Sequence, residues 1–105
     1  CKIITVGYGT VMSAATLVLA AGDQRKISRF SWFMNHEMAY SMDETRHSQA
    51  KAYVAQADRE ESLWCHWMEE FTNKPADFWL KNGRGIDAYF NADQLLSLGV
   101  VDEVF

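Results

Sequence analysis

The sequence predicts an α/β fold, and three stretches of the chain predict it. Lys2-Ile3-Ile4-Thr5-Val6 is β-branched at four of its five positions and reads as a buried strand. Gly7-Tyr8-Gly9-Thr10-Val11-Met12-Ser13 then turns that strand into an apolar run, Ala14 to Ala21, which closes at Gly22 as a buried helix does. Farther on, no Gly or Pro interrupts the chain from Ser41 to Phe71, long enough for an extended helix.

The remaining elements follow in order. Asp23-Gln24-Arg25-Lys26 reads as a polar turn. Ile27 to Asn35 reads as a second strand, bulky on both alternating faces and so expected to be covered on both sides. Ser41-Met42-Asp43-Glu44 has the form of a capping box, with Ser at the cap and Glu three residues on. In the long helix that follows, about residues 42–72, Ala50, Tyr53, Val54, Ala57, Trp64, Trp67, Met68 and Phe71 form one stripe. That helix is too long to pack wholly on a small sheet, so it should project and pack on a neighbour. Pro75 opens a short helix that Gly83 ends. Ile86 to Phe90 is extended, Asn91-Ala92-Asp93-Gln94 caps a last short helix, and Val100 to Phe105 closes as a strand.

Length and composition set limits. The 105 residues make a single domain, with no internal repeat. A net charge of −4 argues against nucleic acid or an anionic membrane as the main partner. The longest uncharged apolar run, Val11 to Ala21, falls short of the roughly 20 residues of a membrane span. Cys1 and Cys65 form no C-x-x-C pair, and no zinc spacing is present, which fits a reducing cytoplasm. The chain opens at Cys1 without an initiator Met, as a processed chain or a piece of a longer one would. Four tryptophans, four tyrosines and six phenylalanines are many for this size and suit burial against another chain or segment.

Few residues are placed for chemistry. Ser13 stands where a strand turns into a helix, beside backbone N–H groups that have no helical acceptor. That is a position for a nucleophile, and equally for an ordinary N-cap serine. A hydroxyl nucleophile needs a base, and the base an orienting acid. His36 ends the strand after the Ser13 helix. In a strand–helix–strand unit the helix start and the end of the next strand share one edge of the sheet, so Ser13 and His36 can meet. His47 and His66 fall within the long helix and read as surface or half-buried imidazoles. Asp87 lies in an extended stretch between two helices. Glu44-x-x-His47 has the spacing of a di-iron helix, but that chemistry needs a second copy of the motif.

Several segments carry a family resemblance. Gly9-x-x-x-Ser13 opens an apolar helix ending Ala21-Gly22; Asn35-His36 follows; then Asp87-x-Tyr89-Phe90-x-Ala92 precedes Leu98-Gly99-Val100-Val101-Asp102-Glu103-Val104. In this order they resemble the ClpP family, the proteolytic subunits of the ATP-dependent Clp protease, with the tail the most specific part. The resemblance covers most of the chain and corresponds to the C-terminal two-thirds or less of a complete subunit.

It implies the ClpP/crotonase-like fold, a repeated β-β-α spiral with a projecting handle helix by which two heptameric rings stack. Carried over position by position, it implies a serine endopeptidase in which Ser13 is the nucleophile, His36 the general base and Asp87 the acid. The backbone N–H of Ala14 would be one oxyanion donor; the other would come from a segment before Cys1. No cofactor or metal is implied in this chain. ATP would be used by a partner, an AAA+ Clp unfoldase that threads unfolded polypeptide into a homo-oligomer.

The sequence departs from the family at three places. Bulky Val11 and Met12 precede the serine where small residues are usual. Glu37-Met38-Ala39-Tyr40 replaces a Gln-Pro and glycine-rich run after the histidine. Gly85-Ile86, with Arg84 nearby, replaces an Asp-Arg pair before the acid. These changes leave a second reading, a catalytically inert ClpP-like structural or assembly subunit. A third, a crotonase-type acyl-CoA enzyme, lacks an evident adenine or phosphate site.

Overall fold

A computed structural model describes all residues, 1–105. Its elements run β1 (Ile4–Gly7), β2 (Thr10–Met12), α1 (Ala14–Ala20), β3 (Gln24–Ile27), β4 (Trp32–Asn35), α2 (His47–Phe71), α3 (Ala76–Asn82), β5 (Ala88–Asn91), α4 (Ala92–Ser97) and β6 (Glu103–Val104). The first two turns of this path each supply two strands and a helix. One strand of each unit joins a sheet ordered β1-β3-β6, the other a sheet ordered β2-β4-β5. Successive units pair in parallel, β1 with β3 and β2 with β4, while β5 returns antiparallel to β4. This is a β-β-α spiral.

The core lies where the helices cover the sheets. Val11, Leu19, Ile27, Phe33, Met68, Leu95, Val100 and Val101 are buried there around Trp79. Trp79 meets Phe90, Trp64 and Phe78 edge to face, a preferred aromatic arrangement. Its indole N–H donates to the Thr72 hydroxyl and its carbonyl accepts from the Asn35 amide, so its polar atoms are satisfied. The core thus fixes the end of β4, next to His36.

Several expectations are corrected, the first being that Gly7 to Ser13 turns the opening strand directly into a helix: Thr10–Met12 forms β2, paired with β4, before α1 begins. The stretch from Ile27 to Asn35 is two strands. At Ser28–Ser31 the chain turns, with Ser31 N–H donating to the Ser28 carbonyl and the Ser31 hydroxyl accepting from Gly9 N–H. Phe30 is 89% exposed, so the alternation of bulky groups does not mark a strand covered on both sides. The expected polar turn at 23–26 is mostly strand β3. Its charges are met across the sheet, Arg25 by Asp102 and Lys26 by Glu103. β1 is not buried throughout, since Ile4 and Val6 are more than half exposed.

The capping box at Ser41 does not form. Arg46 is the N-cap of α2 and makes no side-chain cap bond, while Thr45 closes a local turn onto the Asp43 carbonyl. Glu44 therefore lies outside the helix and does not share its face with His47. The 25 residues of α2 span roughly 37 Å at 1.5 Å per residue. Only Ala57, Cys65 and Met68 of α2 are buried, so its first turns project from the domain. Pro75 is the N-cap of α3 rather than its first residue, and the final strand is shorter than expected because Val100 and Val101 turn into the core. No helix is long and apolar enough to cross a membrane.

Candidate active site

Strand register decides which side chains share an end of the β2-β4-β5 sheet. Met12 pairs with Met34 in parallel, so Ser13 and His36 leave adjacent strands at the same end. Asn35 pairs with Ala88 in the antiparallel direction, so Asp87 enters at that end too. Three residues distant in sequence converge because one pairing is parallel and the other antiparallel.

Ser13 is held in a conformation that side-chain-bearing residues avoid, with φ 55° and ψ −128°; no other non-glycine residue has positive φ. Such backbone costs on the order of 1–3 kcal/mol and persists only where surrounding bonds over-determine it. They do so here. Ser13 N–H donates to the Met34 carbonyl at 3.3 Å, and its own carbonyl accepts from both the backbone N–H and the hydroxyl of Thr16.

The hydroxyl makes no cap bond to α1. Asn91 shows what a cap looks like in this protein, its Oδ1 accepting from Gln94 N–H at 2.9 Å while Gln94 returns a bond to Asn91 N–H. Ser13 Oγ instead lies 3.1 Å from His36 Nε2. The ordinary N-cap reading of Ser13 is therefore discarded.

The imidazole tautomer follows from its other partner. His36 Nδ1 contacts the main-chain carbonyl of Glu37 at 2.5 Å. A carbonyl only accepts, so Nδ1 carries the proton, and in the neutral ring Nε2 presents its lone pair to the serine hydroxyl. Ser13 O–H thus donates to His36 Nε2, the direction a general base requires.

Asp87 stands differently from the resemblance. It is exposed and makes no hydrogen bond to His36. It lines, with His36, Glu37, Gly83 and Gly85, a hollow of about 300 Å³ beside the imidazole. The place of its carboxylate on Nδ1 is taken by the Glu37 carbonyl. Ala14 opens α1, so its N–H is one of the first-turn donors without a helical acceptor, next to Ser13.

A second cavity, also of about 300 Å³, opens directly on Ser13 and His36. Met38, Ala39, Trp64 and Trp67 wall it, with the carboxylates of Glu60 and Glu61 at its side. Glu61 accepts from Met38 N–H at 3.0 Å and from Arg84 at 3.2 Å, and Arg84 also approaches Glu37 at 4.0 Å. The cavity wall and the Glu37–Glu61–Arg84 cluster were not singled out by motif. Beyond the α2 stripe that holds Trp64 and Trp67, their trace in the sequence is the replacement of the usual residues after His36 and before Asp87.

The Clp protease family model matches residues 1–105, the whole chain. The chain belongs to the Clp protease family. No curated protein matches it. Membership accounts for the ClpP/crotonase-like spiral and makes this a ClpP-type protein, in which Ser13 and His36 occupy the sheet edge described above. No group of three or more His, Cys, Asp or Glu side chains converges in a manner able to hold a metal ion.

Proposed function

We propose that this chain carries the reacting groups of a ClpP-type serine endopeptidase. The observation that carries the reading is the Ser13 Oγ–His36 Nε2 contact of 3.1 Å, made by a serine in strained backbone. In this reading Ser13 Oγ attacks the peptide carbonyl carbon as its proton passes to His36 Nε2. The carbonyl oxygen becomes an oxyanion beside Ala14 N–H. His36 then gives the proton to the departing amine, the C–N bond breaks, and an acyl-serine remains for water to hydrolyse by the reverse relay.

Asp87 is the acid of this scheme. The imidazolium formed during attack is a cation, and a carboxylate stabilises it better than a carbonyl dipole does. From the hollow it shares with His36, the Asp87 carboxylate stabilises that charge while the Glu37 carbonyl holds Nδ1. The Trp64–Trp67 cavity receives the substrate side chain next to the scissile bond. Family membership extends the proposal to stacked heptameric rings joined through α2, fed with unfolded polypeptide by an AAA+ Clp unfoldase, in the cytoplasm.

The test is covalent. An alkyl fluorophosphonate should add one phosphonyl group to the peptide bearing Ser13 in the assembled protein, and none to Ser13→Ala. Absence of the adduct from the assembled protein favours the inert assembly subunit.

A further inference from the structure

We propose that Glu61 is a positioning residue for His36, acting through the Glu37–Met38 peptide unit. The inference rests on the assignment of His36 as general base and names what holds it ready.

The C=O and N–H of one trans peptide unit point in opposite directions. In the unit joining Glu37 to Met38, the N–H donates to Glu61 Oε2 at 3.0 Å, and the C=O accepts from His36 Nδ1. The carboxylate on α2 therefore fixes the plane whose other end fixes the imidazole. Glu61 is itself pinned, its second oxygen accepting from Arg84 at 3.2 Å, and its side chain is only 22% exposed.

The neighbouring units brace the same segment. Glu37 N–H donates to the Gly83 carbonyl at 3.1 Å, and Glu37 Oε1 accepts from Gly85 N–H at 2.7 Å. Rotating the Glu37–Met38 unit would break a charge-assisted hydrogen bond, among the stronger kinds available to a side chain. While it is held, the Nδ1–H tautomer is favoured and Nε2 remains the acceptor facing Ser13.

The distinction between an acceptor and a mere charge or filler sets the test. Glu61→Gln keeps an oxygen for Met38 N–H, Glu61→Ala removes it, and Glu61→Asp is one methylene too short. The complete protein carrying each change is labelled with 15N-histidine, and the ring nitrogens of His36 are read by NMR at a pH where the imidazole is neutral. Wild type and Glu61→Gln are expected to show Nδ1 protonated. Glu61→Ala, or Glu61→Asp where the alanine variant does not fold, is expected to show a mixture with Nε2–H.

Fluorophosphonate labelling of Ser13 should slow about 10- to 100-fold in those two variants and be restored toward the wild-type rate in Glu61→Gln, which labels faster than either. Unchanged His36 nitrogens in Glu61→Ala and Glu61→Asp overturn the proposal. So does a Glu61→Gln variant as impaired as Glu61→Ala. If no variant labels, wild type included, the peptidase reading fails, while the nitrogen shifts still decide the role of Glu61.

Discussion

The strained backbone of Ser13 gives a prediction with its own internal control. Ser13→Ala and Ser13→Gly both remove the hydroxyl and the bond to His36, so comparing them isolates the backbone. Alanine must still adopt φ 55° and ψ −128°, whereas glycine does so freely. Relief of strain is worth on the order of 1–3 kcal/mol. Against it stands the greater freedom of glycine in the unfolded chain, about 0.4–1 kcal/mol.

The difference leaves Ser13→Gly more stable than Ser13→Ala by about 1 kcal/mol. For a domain near this size that corresponds to a Tm higher by about 4–8 °C. Thermal unfolding followed by circular dichroism, with both variants at equal concentration, reads it directly. A glycine variant that melts at or below the alanine variant refutes the argument that the fold holds residue 13 in a conformation it would otherwise leave.

Three further outcomes follow from the coordinates. Gly83→Ala would place a Cβ 2.8 Å from His36 Cα, against backbone with no flexible end to yield, so fluorophosphonate labelling should fall about 100-fold or more while the far-UV spectrum stays helical. Asp102, hydrogen-bonded by Arg25, has its carboxyl held below the usual carboxylate range. A depressed folded-state value stabilises the fold above the unfolded value and is lost as pH falls through the folded one. Asp102→Asn should therefore flatten the acid side of the stability curve below about pH 4, modestly, because the side chain is 44% exposed. Burial, with Glu61 nearby, pushes the Cys65 thiol up to about 11, so iodoacetamide at pH 8 should alkylate exposed Cys1 and spare Cys65 until denaturant is added.

What the sequence makes legible is local chemistry and period. The opening of α1 after Ser13, the unbroken α2, the Asn91 cap and the placing of Ser13 and His36 at one sheet edge all follow from adjacent residues or from strand–helix–strand handedness, whereas the strand β2 between the glycine turn and α1 does not. What it hides is decided by partners far along the chain. Ser28 and Ser31 break the second strand because their bonds go to Gly7 and Gly9, and Arg25 and Lys26 sit in a strand because Asp102 and Glu103 answer them.

The site divides in the same way. Ser13 and His36 meet by register, but the occupant of Nδ1 is set by the orientation of one peptide plane, which the identity of Glu37 does not encode. Glu61 enters only because α2 lies alongside that plane. The Ser41-x-x-Glu44 signal failed for a related reason: the turn closed by Thr45 on Asp43 competes with the cap, and no tertiary packing helps the projecting start of α2 to win.

The account turns on His36 activating Ser13, and the rate of Ser13 phosphonylation in wild type against His36→Ala measures that most directly. General-base assistance is worth about 10²–10⁴-fold, so the variant should react slower by that factor. Equal rates in the two proteins, at every pH tested, would contradict it.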